Sequence, residues 1–280
     1  MSCDLHTHTN HSDGSYTPKE LVAEAKRLDL TIALTDHNTV SGLPEFLSEA
    51  ERQGVRAIGG TELSTDYHGK EFHLIGLFIP PEHYSRVESL CQEFIKLKEI
   101  SNIDLVNKLV KMGYNIDYAD VKARNIKGNA NRAHIAAELL RAGYVSSIPE
   151  AFDKLLHEKC GYYLLPKRLQ LTDAIRFLRE IKAIPVLAHP LKEINGDALR
   201  NMLPELIEAG LIGIETMHSS YSDEQTSIAK EIANEFSLLE SGGSDFHGSI
   251  KPGVRLGVGK GNLDISDDIF EGFLERKNSL

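Results

Sequence analysis

One local pattern recurs along the chain: a short apolar run of strand character, a polar residue suited to binding metal at its end, then an amphipathic helix. Residues 2–5 lead to His6 and His8, Leu30–Thr35 to Asp36 and His37, and Val55–Gly59 to Glu62. Ile184–Ala188 leads to His189, 211–215 ends in Glu215, and Phe236–Glu240 runs through Gly242-Gly243 to Asp245 and His247. Helix signals fill the intervals. Thr17-Pro18-Lys19-Glu20 combines an N-cap threonine, a first-turn proline and a capping-box glutamate, and Leu21, Val22, Ala25 and Leu28 continue on one face. Further helices are expected near 41–53, 171–182, 196–209, 222–236 and 266–277. Phe72–Ile79 is another strand-like run, with His73 near its beginning. About seven strands, each followed by a helix or loop, favour a barrel of parallel strands over an open sheet. An open doubly wound sheet would usually carry a glycine-rich phosphate turn after its first strand, where this chain has His6-Thr7-His8.

The rhythm breaks between 82 and 168. Helices are expected near 84–112, 117–124, 131–142 and 148–158, with Gly113, Gly128, Gly143 and Gly161 as punctuation. The organisation that follows is a barrel begun by 1–81, a helical insertion or cap over 82–168, and a barrel completed by 169–280.

Composition narrows the function. A formal net charge of −10 without a long basic run argues against binding along a nucleic-acid backbone, where clustered Lys and Arg supply the affinity. A small phosphorylated substrate stays compatible, because bound cations would invert the local field. Three scattered cysteines, Cys3, Cys91 and Cys160, offer neither a disulfide framework nor a thiolate zinc site. With no signal-like or membrane-spanning segment, a cytoplasmic location is expected.

His6 and His8 stand two apart, so in a strand both side chains point the same way. Asp13, His37, Glu62, His73, His189, Asp245 and His247 complete a set holding six of the twelve histidines. In a parallel barrel the strand C-termini share one face, so positions distant in sequence can converge there. Imidazole and carboxylate donors without thiolate suit Zn, Mn or Fe. Nine donors exceed one coordination sphere; two or three divalent ions sharing carboxylate bridges would use them all. Such a cluster makes hydroxide available near neutral pH and neutralises a phosphoryl group.

These residues resemble the polymerase and histidinol phosphatase (PHP) superfamily of metal-dependent phosphoesterases. The resemblance rests on His6-Thr7-His8, Ser12-Asp13-Gly14, Thr35-Asp36-His37-Asn38, Gly60-Thr61-Glu62, His73, Ala188-His189-Pro190 and Gly243-Ser244-Asp245-Phe246-His247. It implies a distorted (β/α)7 barrel with a trinuclear site. His6, His8, Glu62 and Asp245 would serve one ion, Glu62 would bridge to His73 and His189 at a second, and Asp13, His37 and His247 would hold a third. Asp36 would orient a ligand histidine. Segments 131–136, 143–145, 151–156 and 162–166 resemble the cap of one branch, which includes 3′,5′-nucleotide bisphosphate phosphatases and 5′-3′ exoribonucleases.

The expected activity is hydrolysis of a nucleotide bisphosphate or a short oligoribonucleotide end by metal-bound hydroxide, without a protein nucleophile. Arg132 and His134 are candidates for phosphate contact, with His134 a candidate donor to the leaving oxygen, and His218 is a candidate for the barrel mouth. Glu215 is expected to give a supporting hydrogen bond; Arg255 would lie near the site in a pocket-shaping loop, 248–257. His11, His68, His83 and His157 are expected to face solvent, and Cys91 to be core. The rivals are a histidinol-phosphate phosphatase using the same cluster, an amidohydrolase-type barrel hydrolase, and a non-catalytic metal-binding module. The Asp245-x-His247 pair counts against the amidohydrolase, which usually ends in a lone Asp.

Overall fold

The computed structural model describes residues 2–124 and 131–279. The strands are β1 (Ser2–Asp4), β2 (Leu30–Leu34), β3 (Ala57–Tyr67), β4 (Lys70–Leu77), β5 (Ile184–Ala188), β6 (Gly213–His218) and β7 (Leu239–Gly243). The α-helices are α1 (Pro18–Leu28), α2 (Leu43–Gln53), α3 (Tyr84–Lys111), α4 (Tyr118–Arg124), α5 (Arg132–Arg141), α6 (Ile148–Ala151), α7 (Leu171–Glu180), α8 (Pro190–Glu193), α9 (Gly196–Ala209), α10 (Asp223–Glu235) and α11 (Asp267–Asn278). Two compact units divide the chain, one of residues 1–88 with 169–280 and one of 89–168.

In the first unit the seven strands form one sheet whose spatial order is the sequence order. The sheet closes just past its strand ends. Leu5 N–H donates to Gly242 O at 3.1 Å, Asp245 N–H to His6 O at 3.0 Å, and His8 N–H to Phe246 O at 2.9 Å. The closure leaves no room for a side chain at 243: a Cβ there would lie 2.3 Å from the Cβ of His6.

The parallel barrel expected from the strand rhythm needs one correction. β3 and β4 form an antiparallel hairpin, and β4 is also antiparallel to β5. The cause is the two-residue link His68-Gly69, both left-handed at φ 51° and 82°, the pairing that matches the twist of a tight hairpin. So short a link leaves no chain for a crossover helix. Because β4 runs backwards, its beginning lies where the other strands end, and His73 sits in register with Ala188 at the end of β5.

α1 starts as its sequence dictates, with a complete capping box between Thr17 and Glu20. α7 presses on β4 so closely that a Cβ at Gly76 would lie 2.5 Å from Leu178. The interior holds Leu5, Ala33, Ile75, Leu77, Val186 and Ala188, and Leu263, Ile265, Phe270 and Phe273 complete that apolar cluster. These last four close the end where the strands begin: Cys3 N–H donates to Ile265 O at 2.9 Å, and a Cβ at Gly213 would lie 3.1 Å from the Phe273 ring. The opposite end is left to polar groups.

The second unit is helical, built from α3 beyond Glu88 with α4, α5 and α6. Its core gathers Leu105, Leu109, Ile135, Leu139, Leu156 and Tyr163. The helix expected over 148–158 is shorter, passing at Phe152–Leu156 into a wider π-turn. Cys91 is buried, as expected. Gly128 lies outside the described residues. No described helix is long and apolar enough to cross a membrane.

Candidate metal centre

Polar side chains converge at the open end of the barrel around the carboxylate of Glu62. Its Oε2 lies 3.1 Å from His6 Nε2, 3.2 Å from His8 Nε2 and 3.1 Å from His37 Nδ1. Its Oε1 lies 2.8 Å from His73 Nδ1 and 3.0 Å from His189 Nε2. Asp245 stands on the other side of the first pair, with Oδ1 3.4 Å from His8 Nε2 and 3.8 Å from His6 Nε2. Asp13, whose side chain is 55% exposed, places Oδ1 3.1 Å from His247 Nε2 and Oδ2 3.9 Å from His37 Nε2. All nine sequence candidates therefore stand within one cluster.

The backbone aims these groups by local strain. His189 and Asp245, each just past a strand end, have φ of 32° and 57°, a region costly for residues with a side chain. Glu215, at the middle of β6, accepts from His6 Nδ1 at 2.9 Å and from the His189 N–H at 2.7 Å. That is the supporting role expected of it, and it fixes the His6 tautomer so that Nε2 faces the cluster.

Several buried atoms of the cluster make no hydrogen bond: His6 Nε2, both ring nitrogens of His8, His37 Nδ1, Glu62 Oε2, His189 Nδ1, His218 Nε2 and His247 Nε2. Buried polar atoms ordinarily find partners, because leaving one without costs about 1–3 kcal/mol. A concentration of them facing one another fits divalent cations. The donors form four overlapping groups, each with its atoms within 4.8 Å: His6/His8/Asp245, His37/Glu62/His73, His8/Asp13/His37/His247 and His6/His189/Glu215/His218. The last group draws in Glu215 and His218, which the sequence placed outside the ligand set.

Charge is strongly coupled here. Burial alone would raise Glu62, but the imidazoles of His37, His6 and His73 hold it well below the carboxylate range. Asp245 is held low in the same way, against burial, by the neighbouring imidazoles of His218, His8 and His6. Burial tends to lower His6 and His73, yet the carboxylates win: Glu62 and Glu215 raise His6 well above its ordinary value, and Glu62 raises His73 to about 10. At His37 burial dominates and lowers it to about 3.

The residues around the donors differ in part from expectation. Asp36 does not hold a histidine. It accepts from Thr9 N–H at 2.7 Å, Thr9 Oγ1 at 2.6 Å and Ser12 Oγ at 2.6 Å, so it shapes the loop that carries Asp13. His218 is only 1% exposed, with Nδ1 tied to Ser220 Oγ at 2.8 Å and Nε2 3.6 Å from Asp245 Oδ2. Arg132 and His134 stand in the second unit, at the start of α5. The Arg132 guanidinium stacks 4.3 Å over Tyr163 and donates to Leu156 O at 3.2 Å. His134 Nδ1 accepts from Asn131 N–H at 3.1 Å, closing the cap of α5. His11, His68 and His157 are exposed and His83 is half-buried. Arg255 is exposed and pairs through its backbone with Gly259. Sequence reasoning passed over Lys251, whose Nζ lies 2.8 Å from Asp245 Oδ2. Its signal was a cation four residues past His247.

A seven-stranded barrel with imidazole and carboxylate donors crowding one mouth is the framework of a metal-dependent hydrolase, and similarity to known proteins makes this one a metal-dependent phosphoesterase. The chain belongs to the PHP family: the profile of the PHP domain matches residues 4–156. Among curated proteins it is 31% identical to a 5′-3′ exoribonuclease of Haemophilus influenzae, over 95% of this chain and 96% of that one. It is 30% identical to a phosphoribosyl 1,2-cyclic phosphate 1,2-diphosphodiesterase of Eggerthella lenta, over 88% and 94%. It is 29% identical to a 3′,5′-nucleoside bisphosphate phosphatase of Chromobacterium violaceum, over 91% and 90%. Among solved structures, one provisionally described as a metal-dependent phosphoesterase from Bifidobacterium adolescentis superposes with a TM-score of 0.75 at 28% identity, covering 98% of this chain and 96% of that one.

Proposed function

We propose that this phosphoesterase acts on a 3′,5′-nucleotide bisphosphate or the end of a short oligoribonucleotide. In this reading His6, His8, Asp13, His37, Glu62, His73, His189, Asp245 and His247 hold two to three ions of Mn, Fe or Zn. The observation that carries it is the set of buried, unpaired ring nitrogens around Glu62 Oε2. Divalent ions bound there supply Lewis acidity, lowering the pKa of a water molecule and neutralising phosphoryl charge.

The chain's own groups orient and shield. Glu62 offers one oxygen to each side, Oε2 toward His6, His8 and His37 and Oε1 toward His73 and His189, the arrangement of a bridge between two ions. Glu215 keeps the His6 ring turned inward. His247 Nδ1 donates to the carbonyl of Asp245 at 2.8 Å, leaving Nε2 for the side of Asp13. Every donor except Asp13, His37 and His73 is buried, so the open edge of the cluster lies along those three. A phosphate ester reaches the site from there.

The same donors would serve a histidinol-phosphate phosphatase, but the relatives named above act on nucleotides, RNA or a ribosyl phosphate, which favours the nucleotide reading. The test pairs elemental analysis with product release from a nucleotide 3′,5′-bisphosphate, a short 5′-phosphorylated RNA and histidinol phosphate. Asp245→Ala and His8→Ala should each lose more than about 100-fold in turnover, beyond what removing an outer partner of a metal ligand costs, with the circular dichroism spectrum kept. Undiminished turnover in both variants would remove the site from the mechanism. Release from histidinol phosphate alone would transfer the chain to the rival substrate.

A further inference from the structure

Among the described residues, Lys251 is the one lysine or arginine whose charge touches a carboxylate of the cluster, and its placement is built rather than casual. It follows a short turn, Gly248–Ile250, anchored at both ends. Ser249 N–H donates to Ser15 Oγ at 2.8 Å, Val254 N–H donates to Lys251 O at 2.9 Å, and Gly257 N–H donates to buried Asp4 at 2.8 Å. The turn abuts the loop after β1 so tightly that a Cβ at Gly248 would lie 2.2 Å from Ser15 Oγ. The ammonium is thereby held against Oδ2 of Asp245, while Oδ1 of the same carboxylate faces His8 and His247, each at 3.4 Å. One carboxylate separates Lys251 from the donor nitrogens.

An ammonium has three N–H donors, and Asp245 takes one. The Lys251 side chain is 39% exposed, so the rest of its head faces solvent at the edge of the cluster. A phosphoryl group seated over the donors carries negative oxygens that a solvent-facing ammonium beside Asp245 can bind. We propose that Lys251 is a phosphate-binding residue, donating to a non-bridging oxygen of the substrate phosphoryl group while Asp245 keeps it oriented. The assignment rests on the phosphoesterase reading above, and extends it to a group that is no metal donor.

The probe is inorganic phosphate, titrated calorimetrically into the metal-loaded protein. Losing one charge-assisted hydrogen bond predicts about 10- to 100-fold weaker phosphate binding in Lys251→Gln, with metal content equal to wild type. Lys251→Arg should stay within about threefold, because its guanidinium keeps the charge and the donors. Unchanged phosphate affinity in Lys251→Gln overturns the inference. So does loss of metal in that variant, since Lys251 would then act only through Asp245. Should Lys251→Gln fail to fold, acetylation of Lys251 in the wild-type protein, followed by mass spectrometry, decides: phosphate should slow labelling several-fold, and equal rates overturn the assignment. A wild-type protein that releases nothing from any phosphate ester would instead remove the phosphoesterase reading itself.

Discussion

Asp4 is the residue whose loss should cost the barrel most for the fewest atoms. It is fully buried and accepts the backbone N–H groups of Ser244 and Gly257, each at 2.8 Å, and that of His6 over a longer 3.4 Å, together with the Ser244 hydroxyl. These bonds tie the end of β1 to the segment carrying Asp245 and His247 and to the loop behind Lys251. In Asp4→Ala the two amides bonded at 2.8 Å stay buried without an acceptor, at about 1–3 kcal/mol each; the long His6 contact adds little and the hydroxyl can turn elsewhere. The sum centres on about 4 kcal/mol. At about 2–4 °C per kcal/mol for a unit of this size, the melting midpoint should fall by about 8–16 °C. Asp4→Asn keeps one acceptor oxygen and should lose about half as much. Thermal denaturation followed by circular dichroism, with a chelator present so that metal does not mask the difference, reads the effect. An Asp4→Ala protein melting within about 2 °C of wild type would refute the view that these bonds hold the seam.

Two further outcomes follow from the site. In the metal-free protein His73 is raised from 6.5 to about 10, so the stability it contributes is complete below pH 6.5 and is lost as pH climbs through about 10. A metal must displace that proton, so metal affinity should rise with pH over the same window. Melting curves with and without chelator should therefore diverge from pH 6 to pH 9, and a constant gap would contradict the sign. Asp36→Ala should free the Thr9–Ser12 turn and with it Asp13, weakening the ion beside His247 by about 10- to 100-fold. Full metal occupancy of this variant, at equal free metal, would count against that role for Asp36.

Much of this was legible in the sequence because strand ends in a barrel share a face: His6, His8, His37, Glu62, His189, Asp245 and His247 all lie just past apolar runs or, for Glu62, at the mouth crossing of a longer strand. His73 fits that rule only once β4 is known to run backwards. The signal existed in His68-Gly69, but a histidine before glycine reads less plainly as a hairpin turn than asparagine or aspartate does. Asp36 ends an apolar run beside His37 just as a ligand-orienting carboxylate would, whereas its hydrogen bonds depend on how the 9–12 turn folds back. Glu215 and His218 stand on β6 across a β-bulge between Glu215 and Met217, which alters the alternation that would otherwise separate them. Lys251 carries no periodic signal at all. Its position is set by a turn anchored to Ser15, a contact between distant parts of the chain.

The seam between β1 and β7 also orders events in time. Asp4 and Ser244 lie 240 residues apart, and the donor set is split across the same join. His6 and His8 are synthesised before Asp245 and His247, with most of the barrel between them. Until then the early imidazoles lack the Asp245 carboxylate that completes their donor group. Completing the donor set is thus coupled to closing the barrel seam.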